Sequence, residues 1–272
     1  MNNTNLGFKN YETVSEEIKK QIQCVKEIWE KHLGDELIGV YLHGSMCLNC
    51  FKESTSDIDL LIITNRKIER LERLEIARDI IEIDGKPCPV EMSAVYIGDL
   101  IPWQHPVKCQ FHYSDFWTER YQKTLSGELK ENYVVDNDFE DADITSYIKL
   151  INQCGVCLCG KAIKDVFPEV PDEDFWSSIS AEIDDYDFNA YNDRYFVSNI
   201  LILGRILSYK IEKVILSKYE GGLWAAKHVP QKYRYIIDNA IKVWYGDEKL
   251  ADYKKEDLEG LKNYLIEQIK AE

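Results

Sequence analysis

Apolar residues recur at Val14, Ile18, Ile22, Val25, Ile28 and Trp29, and these three- and four-residue steps predict a helix over residues 12–33. Gly34 ends that pattern. Two short runs rich in β-branched residues follow, Leu37–His43 and Ile58–Thr64, and they read as strands buried on both faces. Residues 67–83 return to helical spacing, with Leu71, Leu74 and Ile76 on one side. Val90–Ile97 is a third strand, apolar except for Glu91. Strand, helix and strand in alternation predict a mixed sheet with flanking helices. After Pro102 the chain turns aromatic and loop-like in "PWQHPVKCQFHYSDFW". An apolar helix and a short strand occupy 143–160. The segment "KDVFPEVPDEDF", two prolines among acids, marks a boundary. Beyond it every pattern is helical, and the wide apolar face of "YFVSNILILGRILSYKIEKVIL" suits the central helix of a bundle. The expected architecture is an α/β domain over residues 1–170 and an all-α helical-bundle domain over 171–272.

The two strands at 37–43 and 58–64 do not meet through a simple turn. Between them stands "HGSMCLNCFKESTSD", and the second strand opens on Asp57 and Asp59. A doubly buried strand has no packing use for aspartate at its mouth. Side chains two apart in a strand share a face, so the two carboxylates stand together with Ile58 buried between them. Like charges that close repel and call for a cation. Hard oxygen donors favour Mg²⁺, which takes its remaining ligands from water and phosphate. Gly44 lets the backbone approach a phosphate closely, and Ser45 offers it a hydroxyl and an amide. Glu91 supplies a third carboxylate from the next strand. Three carboxylates on neighbouring strands suit two-metal phosphoryl or nucleotidyl transfer, with one of them taking a proton from an attacking hydroxyl.

Charge sharpens this picture. The 272 residues carry 33 Lys and Arg against 48 Asp and Glu, a net charge of −15. Such a surface repels phosphate backbones, so nucleic acid and anionic membrane are excluded as generic partners, and a cationic substrate is favoured unless the charge serves solubility alone. No apolar run is long enough to span a bilayer, and the polar, acidic N-terminus is neither a signal nor a transit peptide, so the expected location is cytoplasmic. Of the eight cysteines, those in "CLNC" and "CGVCLCG" lack the paired spacing of a zinc site and read as buried, reduced thiols.

The Gly-Ser, spacer and Asp-x-Asp of "HGSMCLNCFKESTSDIDLLI" resemble the signature of the DNA polymerase β-like nucleotidyltransferases. Three further stretches narrow the resemblance to the bacterial aminoglycoside (3'')(9) adenylyltransferases: "IGDLIPWQHPVKCQF", "DADITSYIKLINQCGVCLCGKAIKDVFPEVP" and "LILGRILSYK" leading to "ILSKYEGGLWAAKHVP". Together they cover about residues 30–250. The resemblance implies an enzyme that moves AMP from Mg-ATP to a hydroxyl of streptomycin or spectinomycin, with the nucleotide between the domains and a monomeric chain. It assigns Asp57, Asp59 and Glu91 to two Mg²⁺ ions, with Glu91 also the general base. Gly44, Ser45, Ser56, Asp143, Arg205, Lys218 and Trp244 fall on the positions that hold ATP, Trp244 standing where the family has a tyrosine. Arg205 is conspicuous without any resemblance, because a lone charge inside "ILILGRILSY" needs an anionic partner, whether a phosphate or a structural acid.

The chain also departs from the family. Its Gly-Ser loop is one residue longer, with Asn49 and Cys50 in place of a glycine pair. Phe116 or Trp117 stands for the family's tryptophan past the third strand. Ahead of the arginine helix "FNAYNDRYFVSN" stands where the family has an acidic motif, with Asp187 and Asp193 acidic but out of register with it, and Asp184–Asp193 is the expected lining of the acceptor site unless it is a solvated acidic loop. Two other readings stay open. One is the same fold adenylylating another small alcohol or a protein, although enzymes that modify proteins usually lack a long helical second domain. The other is a catalytically silent nucleotide binder, against which all three carboxylates are present. A polymerase is disfavoured by the lack of a basic tract.

Overall fold

The computed structural model describes residues 7–181, 183, 193–246 and 248–271. The chain forms two compact units that divide between Ser178 and Ile179. In the first, helix α1 (Glu16–Leu33) buries Ile18, Ile22, Val25, Trp29 and Leu33 and ends at Gly34. Strand β1 (Leu37–Leu42), the short helix α2 (Gly44–Cys47), β2 (Ile58–Thr64), α3 (Arg70–Ile81) and β3 (Val90–Tyr96) follow. Next come β4 (Val107–Cys109), β5 (Phe111–Tyr113), α4 (Thr118–Leu125), α5 (Tyr133–Asp136), β6 (Phe139–Asp141), α6 (Asp143–Cys154), β7 (Val156–Gly160) and α7 (Asp172–Ser180).

Five strands make one mixed sheet in the order β5-β3-β2-β1-β7. Strand β1 is antiparallel to both β2 and β7, and β2 runs parallel to β3, with α3 as the crossover. Alternation divides the sheet into two faces. Val40, Leu42, Leu60, Ile62, Val90, Met92 and Ala94 join the buried side chains of α1 and α3 in one core. Asp59, Leu61, Glu91, Ser93 and Val95 occupy the opposite face.

Three expectations need correction. Leu71 does not face the core; it is 71% exposed. Helix α3 begins only at Arg70, so Leu71 lies in the first turn, and Arg73 is buried beside Leu74 and Ile76 instead. The buried Arg73 guanidinium donates to the carbonyls of Ile68 (2.8 Å) and Val135 (3.4 Å) and pairs with Asp138. The aromatic stretch after Pro102 is not all loop, since β4 pairs with β6 and β5 pairs with β3. Strands of three residues are too short to show a period. The "CGVCLCG" thiols are only half-buried, because β7 is an edge strand; none of the eight cysteines forms a disulfide.

The second unit holds α8 (Asp193–Glu212), α9 (Lys218–His228), α10 (Arg234–Tyr245) and α11 (Lys255–Lys270). Helix α8 packs on the other three, the central role its apolar face predicts, and it stops at Lys213, where φ is +57°. It meets α9 closely: a Cβ at Gly221 would stand 2.5 Å from Arg205 Cγ, and one at Gly204 would stand 2.9 Å from the Gly221 carbonyl. Ser217 starts α9 with a reciprocal cap, its hydroxyl accepting from Glu220 N at 3.1 Å and its amide donating to Glu220 Oε2 at 3.0 Å. No helix among the described residues is long and apolar enough to cross a membrane.

Candidate active site

Strand β1 ends at Leu42, and the chain turns sharply through His43 and Gly44. Gly44 has φ +64°, and a Cβ there would lie 1.8 Å from Asp59 Oδ2. The glycine is therefore both a conformational and a steric requirement: its missing side chain is the space the Asp59 carboxylate fills. The amide of Ser45 donates to Asp59 Oδ2 at 3.3 Å, and the amide of His43 donates to the Asp59 carbonyl at 3.0 Å. The Ser45 hydroxyl is buried and has no hydrogen-bond partner among the described residues. Beyond it the loop closes on itself, with Leu48 N donating to Gly44 O and Cys50 N to Ser45 O. Asn49 adopts φ +55°, and asparagine is one of the few side chains that tolerate the left-handed region. The Ser56 hydroxyl accepts from Lys52 N at 3.0 Å, which ties the loop just ahead of Asp57.

Asp59 and Glu91 are direct partners in the parallel β2–β3 register. Their side chains leave the sheet on one face, in the same row. Asp57 is exposed at the strand's mouth, and Ile58 between the two aspartates is fully buried, as alternation requires. Among the described residues no group of three or more His, Cys, Asp or Glu side chains stands together as a ready-made metal site. What the site presents is an open row of hard oxygen donors.

Further side chains on this face escaped the sequence reading. Tyr147, on α6, points its hydroxyl at Glu91 Oε1 (3.5 Å) and stacks its ring on His43, with centroids 4.5 Å apart and planes 22° from parallel. Burial pushes the His43 imidazole down to about 3, so it stays neutral at physiological pH. Burial, and then the carboxylates of Glu91, Asp143, Asp141 and Asp59, raise the Tyr147 phenol well above its ordinary value. Asp143, the first residue of α6, thus belongs to the same acidic neighbourhood as Asp59 and Glu91. Two residues past Glu91, Ser93 shares a 3.0 Å hydrogen bond with His112 Nδ1, across the β3–β5 register. Burial holds that imidazole down at about 4. A helix-borne tyrosine one turn after an aspartate was the available signal for Tyr147, but its partner depends on which strands are neighbours.

Within the helical unit, Lys218 Nζ lies 4.5 Å from the centroid of the Trp244 ring, so two residues 26 positions apart in sequence adjoin one another. Arg205 faces Gly221, one turn along α9 from Lys218. The two basic residues and the tryptophan therefore group at the start of α9. Phe116 is 73% exposed and edges onto Trp117 at 5.1 Å. The expected acceptor lining at 184–192 lies outside the described residues.

Two family models match different parts of the chain. Residues 23–95 match the family model described as polymerase beta, nucleotidyltransferase. Residues 165–268 match the model for the C-terminal domain of aminoglycoside adenylyltransferase. An aminoglycoside (3'') (9) adenylyltransferase of Shigella flexneri is 26% identical over 95% of this chain and 97% of its own length. A spectinomycin 9-adenylyltransferase of Campylobacter jejuni is 24% identical over 90% of this chain and 97% of its own. The crystal structure of the spectinomycin adenyltransferase from Enterococcus faecialis, with ATP and spectinomycin, superposes with a TM-score of 0.78 over 93% of this chain and 99% of that one, at 23% identity.

Proposed function

We propose that this chain, a member of the aminoglycoside (3'')(9) adenylyltransferase family, transfers AMP from ATP to a hydroxyl of spectinomycin or streptomycin and so confers resistance. The observation that carries this reading is the register pairing of Asp59 with Glu91, beside a Gly-Ser turn moulded onto the Asp59 carboxylate. In this reading residues 1–170 perform the chemistry and residues 171–272 complete the binding of the nucleotide. The chain acts as a monomer in the cytoplasm, without nucleic acid or membrane.

The donor set fits Mg²⁺. Asp57, Asp59 and Glu91 offer only hard oxygens, and the open row leaves room for phosphate and water as further ligands. Two such ions, when bound, neutralise the triphosphate and stabilise the charge that develops on the attacking and leaving oxygens. The protein's own residues do the rest. The Gly44–Ser45 turn meets the phosphates with its backbone and with the buried Ser45 hydroxyl, and Ser56 shapes the loop beside it. Asp143, Arg205, Lys218 and Trp244 orient the nucleotide, the two cations on its triphosphate. Glu91 takes the proton from the acceptor hydroxyl. That oxygen attacks the α-phosphorus, a new phosphoester bond forms, and pyrophosphate leaves with the electrons of the broken bond. The net charge of −15 concentrates a polycationic acceptor near the site.

Pyrophosphate release from Mg-ATP, measured against a panel of spectinomycin, streptomycin and other aminoglycosides, tests the proposal. Turnover with one drug that falls about 10²- to 10⁴-fold in Glu91→Gln, leaving a measurable residue, names the acceptor. ATP binding without turnover on any of them moves the acceptor to another alcohol or a protein.

A further inference from the structure

We propose that Tyr147 is a positioning residue for Glu91, holding the carboxylate in one orientation while it receives the acceptor's proton. The inference rests on the adenylyltransferase reading of the site.

Glutamate is a flexible choice of base. Left alone on a strand, its side chain samples several rotamers, and fixing it costs entropy. Two elements fix it here. Strand β3 sets its row beside Asp59. Helix α6 then brings the Tyr147 hydroxyl 3.5 Å from Oε1, and this is the phenol's one hydrogen bond among the described residues. The phenol is itself held, because its ring stacks on the buried His43 at the end of β1. A phenylalanine would fill that stack equally well, so the hydroxyl contributes only the contact to Glu91. Tyr147 also lies one helical turn after Asp143 on α6, so the same helix that meets the nucleotide steadies the base.

The test is Tyr147→Phe, alone and combined with Glu91→Gln. In pyrophosphate release with Mg-ATP and the acceptor, Tyr147→Phe lowers kcat about tenfold, the size expected for one lost hydrogen bond to a charged group, and leaves both KM values within twofold. On the Glu91→Gln background the same change has no further effect, because its route runs through Glu91. In crystals of the otherwise unaltered protein Glu91 occupies one rotamer, and in Tyr147→Phe it spreads over several; this readout needs no acceptor, so it separates failure of the inference from failure of the functional reading. An unchanged kcat, an undiminished effect on the Glu91→Gln background, or a Glu91 rotamer indifferent to the change would each overturn it.

Discussion

Replacing Gly44 with alanine separates the chemistry of the turn from its stability. The backbone there has φ +64°, which costs an L-residue about 1–2 kcal/mol. For a unit of this size that is a fall in Tm of roughly 2–8 °C. The new methyl also starts 1.8 Å from Asp59 Oδ2, where real Cβ contacts essentially never come below 3.0 Å. The carboxylate must therefore withdraw by more than an ångström. Misplacement of a reacting group on that scale costs on the order of 10²-fold in rate. Gly127→Ala is the matched control: its φ is +79°, yet a Cβ there meets nothing within 4 Å. Thermal melts and pyrophosphate release on both variants are the assay. Both should melt lower, and only Gly44→Ala should lose turnover. A Gly44→Ala enzyme with turnover like that of Gly127→Ala would refute the idea that the Gly44–Asp59 contact sets the carboxylate's position.

Three other outcomes are expected. His112, held at about 4 against 6.5 in the open chain, stays neutral in the fold while the unfolded chain takes up a proton. Its contribution therefore lowers stability as pH falls from about 6.5 to 4, by roughly 2 kcal/mol at pH 5; urea titrations of His112→Gln should show a shallower fall over that window, and a slope like that of the parent would count against it. Arg73→Met takes the guanidinium from Asp138, which keeps Lys67 at 2.6 Å, and leaves the carbonyls of Ile68 and Val135 without their donor, so chemical denaturation should show a loss of about 1–3 kcal/mol, and no measurable loss would mean the pair is dispensable. Lys218→Ala should weaken Mg-ATP binding at least tenfold in calorimetry, as expected for losing one charge-assisted contact to phosphate; unchanged affinity would remove Lys218 from the nucleotide's ligands.

What the sequence made legible follows from period and burial. The three long strands and α1 stood out because a doubly buried strand or an amphipathic helix writes its environment into consecutive residues. The Gly-Ser and Asp-x-Asp stood out because they violate that writing. Leu71 was misread because helical spacing locates a stripe but not where the helix begins. The half-burial of Cys157 and Cys159 depended on β7 being an edge strand, which composition does not reveal. The stack of His43 on Tyr147 and the Ser93–His112 pair were invisible for a related reason. Each joins residues tens of positions apart, and the adjacency arises only once β3 is placed between β2 and β5 and α6 is laid across their face.

The parallel register of β2 and β3 has a consequence for how this protein can change. Asp59 and Glu91 owe their spacing to a backbone ladder, roughly 4.8 Å between strands, and not to the packing of their own side chains. The 25 residues between the two strands can vary in length and composition without altering that spacing, as long as the ladder re-forms. A slip of one residue in β3 is another matter. It would turn Glu91 into the helix-covered core and set Val90 or Met92 beside Asp59. The site is robust to most substitutions and insertions nearby, and its point of fragility is alignment: a single-residue deletion inside β2 or β3, which shifts one half of the ladder against the other, threatens the Asp59–Glu91 pair more than most changes of residue type around it.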